Sequence, residues 1–198
     1  SKGQIIVPTG GGKTICMIND AEQRFRSVDV RAIVVVAPRI LLANQLSAEF
    51  LEHITDVAVA HVHSGETHHF STTNSIDLTH WNSTNPHYHK LIFTTYHSLH
   101  KIQNSMVEVD TIYFDESHNA VQKNFIEAVE YYSIYASRCY FFTATPKHSL
   151  TPFKVGMNDA DIFGQVICNV PAPKLVKQGY ILPPKVVINK IDLPDDDR

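Results

Sequence analysis

The run Ile33-Val34-Val35-Val36-Ala37 constrains this chain more than any other stretch. It has no polar side. A strand formed there must be covered on both faces, which is the situation of a strand inside a parallel sheet flanked by helices. Shorter strand signals accompany it at residues 5–7, 57–62, 91–95, 111–114 and 140–143, and helical periods lie between them. Residues 13–26 place Ile15, Ile18, Ala21 and Phe25 on one face, residues 40–53 place Leu42, Leu46 and Phe50, and residues 120–132 place Val121, Phe125, Ala128 and Tyr132. This rhythm predicts an α/β chain of three layers, a mainly parallel central sheet with helices on both faces.

Two stretches stand outside the rhythm. Residues 64–89 are polar and rich in His, Ser, Thr and Asn, with a short helix expected near 75–81; residues 146–164 show no period. A strand at 165–170, a helix near 174–179 and a strand at 184–191 are expected to close the chain. There is no internal repeat.

The length of 198 residues fits one domain with a real core. Both ends read as cut from a longer protein: a strand signal begins almost at once, and residues 185–198 read as a strand and the start of an interdomain linker, ending in Asp195-Asp196-Asp197-Arg198. Cys16, Cys139 and Cys168 form no C-x-x-C pair and read as buried thiols of a reducing compartment. No apolar run approaches a membrane span and no signal peptide is visible, so a cytoplasmic location without a membrane partner is expected. The net charge of −3 argues against strong electrostatic binding of nucleic acid. Backbone amides and placed hydroxyls can still hold phosphates.

The chemistry begins after the first strand. Pro8-Thr9-Gly10-Gly11-Gly12-Lys13-Thr14 lies between that strand and a helix, the setting of a phosphate-binding loop. Glycines let successive N–H groups point at one phosphate, and the helix N-terminus adds positive potential. Lys13 is expected to reach the β and γ phosphates of ATP, and the Thr14 hydroxyl to ligate Mg2+. The first glycine of the general pattern falls at position 7, where Val7 stands.

A second motif follows another apolar strand: Asp115-Glu116-Ser117-His118. Asp115 at the strand's carboxyl end can hold Mg2+ through water, and Glu116 can orient or deprotonate an attacking water. The carboxyl edge of an open α/β sheet is where such groups collect.

Together these motifs and Thr143-Ala144-Thr145-Pro146 resemble motifs I, II and III of superfamily 2 helicases, with Asp115–His118 resembling a D-E-x-H box. Ala37-Pro38-Arg39 with Leu41, Leu42 and Gln45 resembles motif Ia. Thr94-Thr95-Tyr96 with Ser98 and Leu99 resembles the T-T-Y segment of restriction-type translocases, and Val62-His63-Ser64-Gly65 resembles the region between them. The resemblance spans residues 3–190 in the expected order. It implies a first RecA-like domain of a motor on nucleic acid, leaning towards DNA over RNA, that works with a second RecA-like domain of the same polypeptide. It implies that Pro38, Arg39, Ser64, Gly65, Thr94 and Thr95 grip the sugar–phosphate backbone. Lys13, Asp115, Glu116 and His118 would be catalytic, while Thr143, Ala144 and Thr145 couple the nucleotide site to the strand. An adenine-reading glutamine motif would lie upstream of Ser1. Without a partner domain's arginine fingers, the isolated chain is expected to hydrolyse ATP very slowly.

Three rival readings remain at this point. Asn189-Lys190-Ile191-Asp192 matches the guanine-reading N-K-x-D pattern, and Asp161–Gly164 matches D-x-x-G, although no apolar strand precedes Asp161. His61, His63, His68, His69, His87 and His89 cluster in sequence and could form a metal-binding module. No Cys or carboxylate frame accompanies them, so exposed loop histidines are the expectation. A domain that keeps the fold only to clamp nucleic acid is the third; intact Lys13, Asp115 and Glu116 argue against it. Trp81, Tyr88 and Tyr96 are candidates by type for stacking on single-stranded bases.

Overall fold

The computed structural model describes residues 1–8 and 12–169. Its strands are β1 (Lys2–Ile6), β2 (Ala32–Ala37), β3 (Val57–Val62), β4 (Phe70–Ser71), β5 (His89–Thr95), β6 (Thr111–Phe114), β7 (Arg138–Thr143) and β8 (Val166–Asn169). They form one sheet in the order β4-β3-β5-β2-β6-β7-β1-β8, every neighbouring pair parallel. The helices are α1 (Lys13–Arg24), α2 (Ile40–His53), α3 (Ser75–Thr84), α4 (Leu99–Gln103), α5 (Ile126–Tyr135) and α6 (Ala160–Phe163).

The β2 run behaves as its composition requires. All six of its residues are buried. Ala32, Val34 and Val36 face one core with Leu78, Ile102, Phe114, Val129 and Phe141; Ile33, Val35 and Ala37 face another with Met17, Ile18, Leu46, Phe50 and Phe93. The alternation of side chains along a strand thus splits the interior into two cores, and the three layers follow. Helices α1 and α2 cover one face, α3 to α6 the other.

Local signals hold some of the helix ends. Asn74 caps α3, its Oδ1 accepting N–H bonds from Ile76 (2.8 Å) and Asp77 (3.4 Å). Arg24 closes α1, where a cation suits the helix dipole, and its guanidinium also grips Asp110 at 2.7 and 2.8 Å. Arg31 reaches the same carboxylate at 2.7 Å. Asp110 precedes β6, so this cluster lies at the amino edge of the sheet, away from the phosphate loop.

Several expectations need correction. Ile15 is 47% exposed, and the buried stripe of α1 runs through Met17, Ile18 and Ala21 instead. Residues 120–125 form turns rather than the first half of α5, because a short 3-10 turn (Ser117–Asn119) leads the chain back inward with Ala120 and Phe125 as buried anchors. Cys139 is buried, but Cys16 is exposed and Cys168 half-buried. The expected elements at 174–179 and 184–191, the linker at 185–198, the N-K-x-D match, and Thr9, Gly10 and Gly11 lie outside the described residues. Among the described residues no helix is long and apolar enough to cross a membrane.

Candidate nucleotide and nucleic-acid site

Because every strand runs the same way, the loops after β1, β2, β5, β6 and β7 emerge on one edge. The residues picked from scattered motifs therefore meet there. Gly12 precedes α1 with φ 83° and ψ 21°, a left-handed conformation that glycine adopts without strain. The first turn of α1 holds no acidic residue and, among the described residues, no side chain caps it, so its amides can face an anion.

Lys13 opens α1, and its Nζ lies 2.8 Å from Asp115 Oδ1 and also contacts Glu116 Oε1. Burial lowers the proton affinity of Lys13, but Asp115 and Glu116 outweigh it and hold the ammonium above its ordinary value. Burial pushes the Asp115 carboxyl up, partly offset by Lys13. A carboxylate so desolvated gains from a cation at its side. The donor set thus fits Mg2+ and a polyphosphate: the Asp115 carboxylate, the Lys13 ammonium, the Thr14 hydroxyl next to Lys13 in sequence, and the amino end of α1.

Glu116 carries an unusual backbone. Its φ of 47° and ψ of 53° place a non-glycine residue in the left-handed region. Such a conformation costs on the order of 1–3 kcal/mol and persists where its surroundings over-determine it. Here the conformation turns the chain sharply after Asp115, so that both carboxylates reach Lys13.

His118 links the second motif to the third. Its Nδ1 lies 2.9 Å from Thr143 Oγ1 and 3.5 Å from Thr145 Oγ1, and Thr145 N donates to Thr143 Oγ1 at 3.1 Å. Glu116 Oε2 is 3.7 Å from the same ring nitrogen. Ala144 supplies only the backbone between the two threonines. Val7 N donates to Thr143 O at 3.0 Å, tying the start of the phosphate loop at Pro8 to the same strand end.

Beside this cluster lie two clefts. One of about 540 Å³ is lined by Pro38, Arg39, Tyr96, His97, Glu116 and His118 among others. The second, of about 380 Å³, brings together Pro38, Arg39, His63, Ser64, Thr95 and His97. Arg39 and Ser64 are exposed there, and Gly65 packs so closely that a Cβ would overlap the Ile40 side chain. Thr94 departs from expectation: it is fully buried and its hydroxyl donates to Val62 O at 2.8 Å, joining two strands instead of facing a ligand. Tyr96 and Trp81 are buried as well, which removes them as stacking platforms, whereas Tyr88 is exposed.

Two of the clustered histidines also depart from expectation, while His68 and His87 are exposed. His61 and His63 share one side of β3, as their spacing predicts, but both are buried. Gly65 N–H donates to His63 Nδ1 at 3.0 Å, so that nitrogen is an acceptor. His63 then carries its proton on Nε2 and donates to His61 Nδ1 at 3.0 Å, and His61 Nε2 donates to Ser47 Oγ at 2.9 Å. Burial, with His63 and His69 adding to it, pulls His61 down to about 4; burial lowers His63 too. The pair is a neutral internal brace that fixes the Ser64-Gly65 turn against α2. No three His, Cys, Asp or Glu side chains among the described residues are arranged to hold a metal ion. The D-x-x-G match falls on α6, where Asp161 O accepts from Lys2 Nζ at the amino end of β1, far from the phosphate loop.

Sequence reasoning missed His97, which lines both clefts and carries no motif signal, and the bracing role of His63. The period-two spacing of His61 and His63 on an otherwise apolar strand was the available clue.

Comparison with known proteins follows the same lines. The family described as "Type III restriction enzyme, res subunit" matches residues 1–148. No curated protein sequence matches the chain. Among solved structures, the Type ISP restriction-modification enzyme LlaGI, in complex with a DNA substrate mimic, superposes with a TM-score of 0.74 at 20% identity, over 90% of this chain and 19% of that one. LlaBIII, a Type ISP enzyme bound to DNA, gives 0.65 at 19% identity over 90% and 14%. The Hef helicase domain of Pyrococcus furiosus gives 0.63 at 20% identity over 89% and 36%. The chain therefore spans about a fifth of the length of LlaGI. The likeness is one of fold: the parallel α/β domain of this chain is shared with these enzymes and with the Hef helicase domain.

Proposed function

Since the chain belongs to the type III restriction enzyme res-subunit family, we propose that it is the ATP-binding half of a motor that moves on nucleic acid. The observation that carries the proposal is the contact of Lys13 with both Asp115 and Glu116 at the open end of α1. Lys13 leaves the carboxylates for the β and γ phosphates of ATP, and Thr14 and Asp115 hold Mg2+. The bound Mg2+ neutralises charge on the phosphates. Glu116 then orients the attacking water and accepts its proton. His118 with Thr143 and Thr145 senses that event and passes it to the clefts lined by Arg39, Ser64 and Thr95. Thr94 serves the sheet.

DNA is the favoured track, because LlaGI and LlaBIII were both solved on DNA or its mimic. A second RecA-like domain completes the site. An arginine finger is worth about 10³- to 10⁵-fold in related sites, so the 198-residue chain alone turns over ATP at a barely measurable rate.

One assay tests this reading. In the full-length protein, DNA-stimulated ATP hydrolysis is expected, and Glu116→Gln should abolish turnover while ATP still binds. Turnover by Glu116→Gln at the wild-type rate would overturn the mechanism, and robust turnover by the isolated chain would overturn the need for a partner domain.

A further inference from the structure

Tyr96 stands at the end of β5, and β2 separates β5 from β6. Its phenol crosses the end of β2 and donates to the backbone carbonyl of Asp115 at 2.7 Å. Two strand spacings are about 9–10 Å, a span that needs a long rigid side chain with a polar tip. The accepting carbonyl belongs to the peptide that joins Asp115 to Glu116. The amide of Asp115 is fixed as well, donating to Val36 O at 2.8 Å. Asp115 is thus pinned at both its amide and its carbonyl immediately before the left-handed turn at Glu116.

The other end of this link faces the clefts. Tyr96 N donates to Ala37 O at 3.2 Å, at the point where the chain leaves β2 for Pro38 and Arg39. The Tyr96 ring packs on Phe114 and Phe125 with centroids 5.9 and 5.6 Å away. Its neighbour His97 packs edge-on against Phe125 at 4.7 Å and lines both clefts. Thr95 and Ser98, on either side, line the cleft that holds Arg39 and Ser64. A ligand that shifts residues 95–98 must therefore move the phenol or lose its hydrogen bond, since O–H···O contacts work only within about 2.5–3.0 Å.

We propose that Tyr96 is a positioning residue that transmits nucleic-acid engagement of residues 95–98 to the orientation of Glu116, through its hydrogen bond to the Asp115 carbonyl. The inference rests on Glu116 acting on the attacking water. Burial, first, and then the charges of Asp115 and Glu116 hold the phenol well above its ordinary value, so it remains a donor throughout the working pH range. The Tyr96 hydroxyl is engaged by the Asp115 carbonyl, so its effect passes through a peptide bond.

Tyr96→Phe tests this in the full-length protein, because it keeps the stacked ring and removes only the hydroxyl. The expected result is a fall in DNA-stimulated kcat of about 10- to 100-fold, the scale of a small misplacement of a reacting group. The ratio of stimulated to basal rate should fall towards one, while the Kd values for ATP and for single- and double-stranded DNA stay within about twofold of wild type. A core variant in the same cluster, Val129→Ala, should lower the melting temperature without changing that ratio. An unchanged ratio in Tyr96→Phe overturns the proposal, and so does a loss of both affinities in step with kcat, which would make Tyr96 a packing residue only. Wild-type turnover by Glu116→Gln would instead overturn the functional reading beneath it, so the two failures are distinguishable.

Discussion

Glu116 and the histidine brace show what individual residues cost and contribute. The strained turn at Glu116 is held by neighbours, with Tyr96 on the carbonyl before it and Lys13 on its carboxylate. His61 and Asp110 carry a separate, pH-dependent term. His61 is held neutral, with its pKa lowered from 6.5 to about 4, chiefly by burial. The unfolded chain therefore binds more protons between those values, and the stability contributed by His61 is full above 6.5 and lost as pH falls towards 4. Asp110 is opposed by its own burial, but hydrogen bonds from Arg24, Thr111 and Arg31 outweigh it and lower the carboxyl from 3.8 to about 2. Its contribution is full above 3.8 and lost as pH falls towards 2. Urea titrations across pH 7 to 2 should thus show a loss in each window, on the order of 1–3 kcal/mol and larger in the upper one, since solvent screens the Asp110 pairs. His61→Leu should shrink the upper step, leaving the part carried by His63 and His69, and spare the lower one. A single step below pH 4, or an upper step undiminished in His61→Leu, would rule out this assignment.

At the scale of the element, α3 shows how much one cap can hold. It lies in the polar stretch where periodicity is weakest, and the Asn74 side chain is what starts it. Asn74→Ala should cost about 1 kcal/mol, and thermal unfolding should fall by about 2–4 °C for a domain of this size. Legibility in the sequence varied for the same kind of reason. The β2 run and the stripe of α2 were readable because burial on both faces, or on one, leaves a period. Residues 120–125 were misread because their buried positions copy a helical spacing while the chain turns. The site motifs were readable because each sits at the carboxyl end of a strand that its own composition announces. Thr94, Tyr96, His61 and His63 were misjudged as surface groups because a polar side chain buried with its partner looks, in sequence, like one in solvent; His68 and His87 are exposed as expected.

For the molecule as a whole, the order of strands matters more than their number. The first strand, β1, sits between β7 and β8, so Gln4 pairs with Phe141 and with Val166. Contacts of such long sequence separation carry loop-closure entropy and form slowly. In time, then, the fold runs against its own sequence. A ribosome releases the phosphate loop before the rest of this sheet, yet among the described residues the strand that carries it has no neighbour until residues 138–143 are in place. During refolding from denaturant, helical signal and burial around β2 and β5 should return before ATP binding does. Stopped-flow fluorescence with a nucleotide analogue would follow the second event, and its appearance in the earliest phase would contradict this order. A chain interrupted before β7 would hold its loop sequence intact and have no site, so nucleotide binding reports completion of the sheet.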